Sequence, residues 1–154
     1  MCGIVAVTGY KKALPLLLNG LEKLEYRGYD SAGIAIIDSE TKTISCNKAE
    51  GKLKNLINKL NDKNINGTVG IGHTRWATHG KPEVKNAHPH IDSSGNIAVV
   101  QNGIIENFQD LKNKLEEEGI IFNSDTDTEV IPHLIERELN TLGNLILIIM
   151  VQHY

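Results

Sequence analysis

The sequence predicts an α+β fold in which antiparallel strands and helices form stacked layers. Predicted strands tend to follow one another in pairs, and so do predicted helices. This order suits an antiparallel layered fold better than regular β–α–β alternation. The chain has 154 residues, of which 40% are hydrophobic and 23% charged. That composition is typical of one globular domain that is large enough to bury a core.

The first part of the chain contains three predicted strands and two predicted helices. Residues 2–8 are short, apolar and rich in Ile and Val, which predicts a strand. Leucines at helical spacing predict the first helix, with Pro15 tolerable in its first turn: Leu14, Leu17, Leu18, Leu21 and Leu24. Residues 32–38 and 43–48 are typical of two strands joined by a polar turn. One apolar helix face follows, formed by Leu53, Leu56, Ile57 and Leu60.

The second part begins with a predicted strand over residues 68–73, which runs into a long loop over 74–92. Residues 93–96 form a turn signal, and residues 97–100 are typical of a buried strand. Phe108, Leu111 and Leu115 mark an amphipathic helix. Residues 126–129 match a capping box, which predicts a helix that begins there and ends near Leu139. Pro132 lies inside this predicted helix and is expected to kink it or to cost a hydrogen bond.

Charge and composition narrow the expected partners and location. The formal net charge is −3 and the basic residues form no stripe, so we expect no nucleic acid partner. The longest apolar run covers only residues 145–151, and the first ten residues do not form a signal peptide. Two cysteines, Cys2 and Cys46, suit a reducing compartment. We therefore predict a cytoplasmic protein without a membrane partner.

Cys2 is the most informative residue of the chain. If Met1 is removed, Cys2 carries a thiol and a free α-amine on the same residue. A nucleophile beside a base is the minimal unit of covalent catalysis. Because an α-amine has an ordinary pKa of about 7.7–8.0, part of it can accept a proton near neutral pH. The alternative is a buried cysteine in an N-terminal strand.

Residues 73–80 form the densest polar and aromatic stretch, at the end of a predicted strand where binding residues often lie. Arg75 could hold a carboxylate through two parallel hydrogen bonds, and the single tryptophan, Trp76, is next to it. The alternative is a surface loop with Trp76 packed on the core.

Two further positions could contribute to chemistry. Asn102 and Gly103 offer a side-chain amide and a backbone N–H, the donor types of an oxyanion hole. The alternative is a common Asn-Gly turn. Asp127 lies in the first turn of a predicted helix, where it would either cap the helix or provide a counter-charge for an ammonium group.

Four histidines, at positions 73, 79, 88 and 90, raise the alternative of a metal site. His88 and His90 have strand-like spacing. However, no cysteine and no pair of carboxylates completes a familiar zinc pattern. We expect ordinary hydrogen bonds from these side chains and no metal.

Five segments in order resemble the N-terminal-nucleophile glutamine amidotransferases: residues 1–5, 26–33, 73–80, 102–107 and 126–129. The amino-acid sequences of the second and third segments are similar to those of the glutaminase domain in one family, the glutamine–fructose-6-phosphate aminotransferases (isomerising). These are also called the glucosamine-6-phosphate synthases. The resemblance covers residues 1–139 and implies a four-layer αββα N-terminal-nucleophile hydrolase fold. It also implies hydrolysis of the side-chain amide of L-glutamine, without a cofactor, to supply ammonia for amino sugar synthesis.

The resemblance implies a role for each site residue. Cys2 would be the nucleophile with its own α-amine as base, and Asn102 and Gly103 would form the oxyanion hole. Arg75 would bind the α-carboxylate of glutamine and Asp127 its α-ammonium group. Thr78 and His79 would line the glutamine pocket, and Trp76 would gate ammonia passage in the full enzyme. Arg27 and Asp30 would order the pocket without reacting.

The chain departs from the family pattern at three places. Gln101 stands where the family usually has His, and Pro132 is unusual for the helix after Asp127. Residues 140–154 form a divergent apolar tail, so we expect the fold to be incomplete at its C-terminal end. The alternative is that this tail forms a single buried strand. The sugar-isomerase domains of the family, which would receive the ammonia, are not in this sequence. The alternative function is therefore an inactive fragment that acts through association, and a homo-oligomer is possible.

Overall fold

A computed structural model of the protein describes residues 2–77 and 81–140 and the backbone of residues 147–152. This part of the chain contains seven strands and four α-helices. In order they are β1 (Gly3–Val7), α1 (Ala13–Glu22), β2 (Ser31–Ile37), β3 (Ile44–Glu50), α2 (Leu53–Leu60), β4 (Val69–Arg75), β5 (His90–Ile91), β6 (Ile97–Asn102), α3 (Phe108–Glu117), α4 (Val130–Leu139) and β7 (Leu147–Gln152). Short 3₁₀ turns cover Glu25–Arg27, Val84–Asn86 and Asp127–Glu129.

The first sheet has the strand order β1-β4-β2-β3, and all its neighbours are antiparallel. Helix α1 packs on β1 and β4, and helix α2 packs on β2 and β3. Side chains alternate between the two faces of β2, so Ile34 and Ile36 both point to the helices. There they join Leu17 and Leu56 in one buried cluster. The leucines predicted from their helical spacing thus form one core layer.

The opposite face of this sheet packs on a second sheet. Ala35 of β2 and Ile71 of β4 contact Ala98 and Val100 of β6 in a separate buried cluster. The second sheet has the order β5-β6-β7. Strands β5 and β6 are antiparallel, whereas β6 and β7 are parallel, with Ile97 opposite Leu147. The predicted antiparallel layers therefore include one parallel pair of strands.

The four layers follow from the remaining helices. Helix α4 packs on β6 and β5, and α3 packs on α4. The order is helices, sheet, sheet, helices, as the αββα prediction requires. Within the described ranges, no helix is long and apolar enough to cross a membrane.

The loop predicted over residues 74–92 is interrupted. Strand β4 continues to Arg75, and the short strand β5 begins at His90. The apolar tail contains β7, in agreement with the strand alternative for part of residues 140–154.

The capping box predicted over residues 126–129 does not form. Thr126 makes no side-chain capping bond to the turn that follows it. The Glu129 carboxylate instead accepts hydrogen bonds from the backbone N–H groups of Asn123 (2.8 Å) and Ser124 (2.7 Å). Helix α4 begins at Val130, so Pro132 lies in its first turn, where a missing N–H costs no helical bond. The expected effect of Pro132 inside the helix is therefore wrong.

Candidate active site

Three strands end at the same edge of the two sheets, and each contributes a candidate residue there. Ile4, Ile71 and Val100 all pack between the sheets. Because side chains alternate along a strand, Cys2, Arg75 and Asn102 lie on the same inner faces, each at the strand end. Strand alternation thus brings together three candidates that are far apart in the sequence.

Cys2 is half-buried and lies against the backbone that leaves β4. The backbone N–H of Trp76 donates to Cys2 Sγ at 3.2 Å, and Sγ lies 3.7 Å from the Trp76 carbonyl oxygen. The indole itself is 54% exposed. It lies over Gly28, where a Cβ atom would be only 3.2 Å from the indole and where φ is +72°, so glycine suits this contact.

Asn102 spans the gap between the two sheets. Its Oδ1 lies 2.8 Å from Nε2 of His73, and its Nδ2 lies 3.5 Å from the carbonyl oxygen of Cys2. Gly103 follows directly and is exposed. An amide donor and an adjacent accessible backbone N–H are therefore close to the candidate nucleophile.

Arg27 and Asp30 contact the backbone of the site. A guanidinium nitrogen of Arg27 donates to the Cys2 carbonyl at 3.4 Å. The N–H of Asp30 donates to the Arg75 carbonyl at 2.8 Å, and the Asp30 carboxylate accepts from the N–H of Ala77 at 2.5 Å. Asp30 thus fixes the path of the chain on both sides of Trp76.

Arg75 and Asp127 are oppositely charged, and both are about 5% exposed or less. Arg75 Nη1 donates to the Lys81 carbonyl at 3.4 Å. The Asp127 carboxylate accepts from the N–H of Ile105 at 2.7 Å, just beyond the Asn102-Gly103 pair. A cation and an anion thus lie on the two elements that flank the candidate oxyanion donors. Thr78 and His79, the other predicted binding residues, lie outside the described residues.

Gln101 does not face the candidate oxyanion donors. Its side chain points to the opposite side of β6 from Asn102, and its Oε1 accepts from the Thr128 hydroxyl at 3.0 Å. This bond connects the end of β6 to the turn that carries Asp127. The sequence analysis missed Thr128, because the contact joins segments that are distant along the chain.

Three of the four candidate histidines, His73, His88 and His90, are buried against one another and hydrogen-bond to other groups, whereas His79 lies outside the described residues. The His73 and His88 rings are stacked at 4.4 Å, and the His88 and His90 rings meet at 4.7 Å. His88 Nδ1 accepts from the Gln101 N–H at 3.3 Å. Burial lowers the pKa of His73 to about 4 and that of His90 to about 3. In the described ranges, no group of three or more histidine, cysteine or acidic residues is arranged to hold a metal ion.

Comparison with known proteins agrees with this geometry. Residues 42–142 match the glutamine amidotransferase domain family. Glutamine–fructose-6-phosphate aminotransferases (isomerising) from Gloeobacter violaceus and Pyrococcus horikoshii are 61% and 57% identical, over 88% and 94% of this chain. The chain spans only 22% and 24% of those relatives' own length.

Solved structures are similar as well. The glutamine phosphoribosylpyrophosphate amidotransferase from B. subtilis is 31% identical, with a TM-score of 0.73, over 89% of this chain and 29% of its own. A structure described as the allosteric regulatory enzyme of purine biosynthesis has a TM-score of 0.72 over 89% of this chain and 30% of its own. These similarities confirm the predicted N-terminal-nucleophile hydrolase fold. The chain belongs to the glutamine amidotransferase domain family and is similar to the N-terminal glutaminase part of the glutamine–fructose-6-phosphate aminotransferases.

Proposed function

We propose that this chain hydrolyses the side-chain amide of L-glutamine to glutamate and ammonia through a thioester on Cys2. One observation carries the proposal: the Cys2 thiol and the Asn102 amide converge at one end of the two sheets, with Asn102 Nδ2 3.5 Å from the Cys2 carbonyl oxygen. A thiol nucleophile with an amide donor beside its own backbone suits attack on a carbonyl carbon.

Substrate binding uses the two buried charges. The Arg75 guanidinium binds the α-carboxylate of glutamine and the Asp127 carboxylate binds its α-ammonium group. Arg75 lies at the end of β4 and Asp127 in the turn before α4, on either side of Asn102. Trp76, Thr78 and His79 complete the pocket in this proposal. Glutamate carries the same two α-groups, so these residues supply orientation rather than discrimination of the amide.

The first half-reaction forms the thioester. After removal of Met1, the α-amine of Cys2 takes the thiol proton, and Sγ attacks the side-chain carbonyl carbon of glutamine. The carbonyl oxygen becomes an oxyanion, which accepts hydrogen bonds from Asn102 Nδ2 and the Gly103 N–H. Collapse of this intermediate breaks the carbon–nitrogen bond, and the ammonium form of the α-amine protonates the departing nitrogen, which leaves as ammonia.

The second half-reaction releases glutamate. Water attacks the thioester carbonyl carbon, the α-amine accepts a proton from that water, and the carbon–sulfur bond breaks. The proton returns to sulfur, so the thiol and the free amine are restored. No atom or electron is supplied by a cofactor. The residues that hold the site backbone, Arg27 and Asp30, take no part in proton transfer.

The destination of the ammonia is the amination of a sugar phosphate. The activity for which the relatives are named, that of a glutamine–fructose-6-phosphate aminotransferase, supports this choice. Sugar isomerisation itself requires a domain beyond the segment shared with this chain. Domain organisation follows the same proposal, with residues 1–139 as the amidotransferase part.

Intact mass spectrometry of the untagged chain tests the proposal. We expect loss of Met1 and a single covalent adduct after incubation with a glutamine analogue that carries an electrophilic diazoketone. Glutamate and ammonia should form in a parallel assay, and Cys2→Ala should show neither adduct nor product. A folded chain that lacks Met1 but forms neither adduct nor glutamate would instead support the inactive association module.

A further inference from the structure

We infer that His73 is a positioning residue for the oxyanion hole: its Nε2–H holds Oδ1 of Asn102, so that the amide nitrogen faces Cys2. This inference rests on the proposed function and extends it to a residue that touches no reacting atom. His73 lies on β4 and Asn102 on β6, so the contact joins the two sheets at the edge where Cys2 lies.

The geometry fixes which atom of Asn102 points to the nucleophile. A side-chain amide is planar and has one acceptor oxygen and one nitrogen with two donor hydrogens. Oδ1 can only accept, so the ring nitrogen 2.8 Å away must donate its hydrogen. With Oδ1 held, Nδ2 is directed to the other side, where it lies 3.5 Å from the Cys2 carbonyl oxygen. A rotated amide would present an acceptor oxygen to the developing oxyanion and would repel it.

The imidazole of His73 is itself immobilised. The ring is 1% exposed and stacks on His88 at 4.4 Å and 16°. His88 in turn is held through its Nδ1 by the N–H of Gln101, the residue before Asn102. The stacked rings of His73 and His88 therefore hold the Asn102 amide in one orientation towards the substrate. Oxyanion donors need such preorganisation.

Burial also fixes the charge of the ring. Desolvation lowers the pKa of His73 to about 4, although the hydrogen bond to Asn102 opposes the shift. The imidazole is therefore neutral at neutral pH and carries one ring proton. In the tautomer with this proton on Nε2, the proton is donated to Oδ1, so His73 serves as a donor and not as an acid or base in the reaction.

Two substitutions separate this role from simple packing. In His73→Gln the side-chain nitrogen lies close to the position of the histidine Nε2, whereas in His73→Asn the shorter side chain stops near Nδ1. Both variants replace an imidazole by an amide, so both lose the stack on His88. Only the glutamine variant can restore the donor to Oδ1.

The experiment compares steady-state glutamine hydrolysis by wild type, both His73 variants, Asn102→Ala and the double variant His73→Asn/Asn102→Ala. Removal of one oxyanion donor costs about 10²–10³ in kcat, which sets the expected loss for Asn102→Ala. We expect His73→Asn to lower kcat at least about tenfold, with KM within about twofold, because a loss confined to the transition state spares ground-state binding. His73→Gln should recover most of that loss.

The double variant is decisive. If His73 acts through Asn102, the double variant should match Asn102→Ala within about threefold, because coupled residues are not additive. His133→Asn provides the matched control, since His133 is 1% exposed and lies on α4 beside Glu129 and Glu136, outside the site. His133→Asn should lower Tm to about the same extent as His73→Asn, while its kcat stays close to that of wild type.

Three results would overturn the inference. The first is a kcat loss in the double variant equal to the product of the two single losses, and the second is an equal kcat loss in both His73 variants. The third is a kcat loss in His133→Asn as large as that in His73→Asn at a similar loss of Tm. A wild-type chain that hydrolyses no glutamine, indistinguishable from Cys2→Ala, would overturn the proposed function and this inference with it. An active wild type with additive variants would overturn only the role of His73.

Discussion

The backbone N–H of Trp76 donates to Cys2 Sγ at 3.2 Å. The bond joins the residue before β1 to the residue after β4, two strands that pair with Gly3 opposite Thr74. Asp30 holds the next N–H in the chain, that of Ala77, so the donor to sulfur is part of a fixed backbone path.

Desolvation of Cys46 predicts selective alkylation of Cys2 over Cys46. Burial raises the pKa of the Cys46 thiol, and a smaller thiolate fraction reacts more slowly. Brief treatment with iodoacetamide near pH 7.5 should modify Cys2 and abolish hydrolysis. Peptide mapping identifies the site, and Cys46→Ala should be inactivated at the wild-type rate. Equal modification of both cysteines would contradict the prediction.

Asp127→Asn should weaken glutamine binding more than it slows turnover. Hydrogen bonds to charged groups contribute about 1.5–3 kcal/mol, so KM should rise by about 10- to 100-fold. Asp125→Asn provides a control two residues away, where the carboxylate is exposed and pairs with Lys85 at 2.9 Å. Its KM should stay within about twofold of wild type. A change of similar size in both variants would remove Asp127 from the binding site.

Leu17→Ala should destabilise the fold by about 2–5 kcal/mol, because it opens a cavity in the layer between α1 and the first sheet. Leu17 is 0% exposed, whereas its neighbour Leu16 is 41% exposed. Leu16→Ala on the same helix should therefore change the free energy of unfolding by no more than about 0.5 kcal/mol. Urea unfolding measures both values. Equal costs would mean that α1 does not bury the face assigned to it.

Sequence patterns predicted most elements because their cause is local. The spacing of Leu17 and Leu21 predicts the buried face of α1, and Ile34 and Ile36 lie on the face of β2 that packs on this helix layer. The same alternation on β4 could have identified His73 as a neighbour of the site, since Ile71, His73 and Arg75 share one face.

Other features depend on contacts between distant segments, which local patterns do not encode. The capping box over residues 126–129 fails because the preceding loop offers Glu129 two other N–H donors. Parallel pairing of β7 with β6 depends on how the chain returns after α4. At the site, the family resemblance supplied the candidate roles, but the bonds made by Gln101 to Thr128 and by Asn102 to His73 required the structure.

Three buried histidines also make stability depend on pH: His73, His88 and His90. Burial lowers the pKa of His73 from 6.5 to about 4 and that of His90 to about 3, and it lowers the pKa of His88 well below its ordinary value. Between pH 6.5 and pH 4 the unfolded chain therefore binds protons that the folded chain does not. Stability is fully present above the unfolded pKa and is lost as pH falls through this window.

We expect His73→Gln to flatten this dependence. Each histidine that is protonated only when unfolded contributes a slope of about 1.4 kcal/mol per pH unit, so the variant should lose about that much slope between pH 6.5 and 4.5. Burial opposes ionisation of Glu129, but the neighbouring His133 and hydrogen bonds from Ser124 and Asn123 lower its pKa to about 2, so its own loss of stability falls below this window. Urea unfolding at several pH values measures the slope. Parallel curves of stability against pH for wild type and His73→Gln would contradict this prediction. They would mean that His73 is protonated in the folded protein. The ring would then carry a second proton in the core besides the one donated to Asn102.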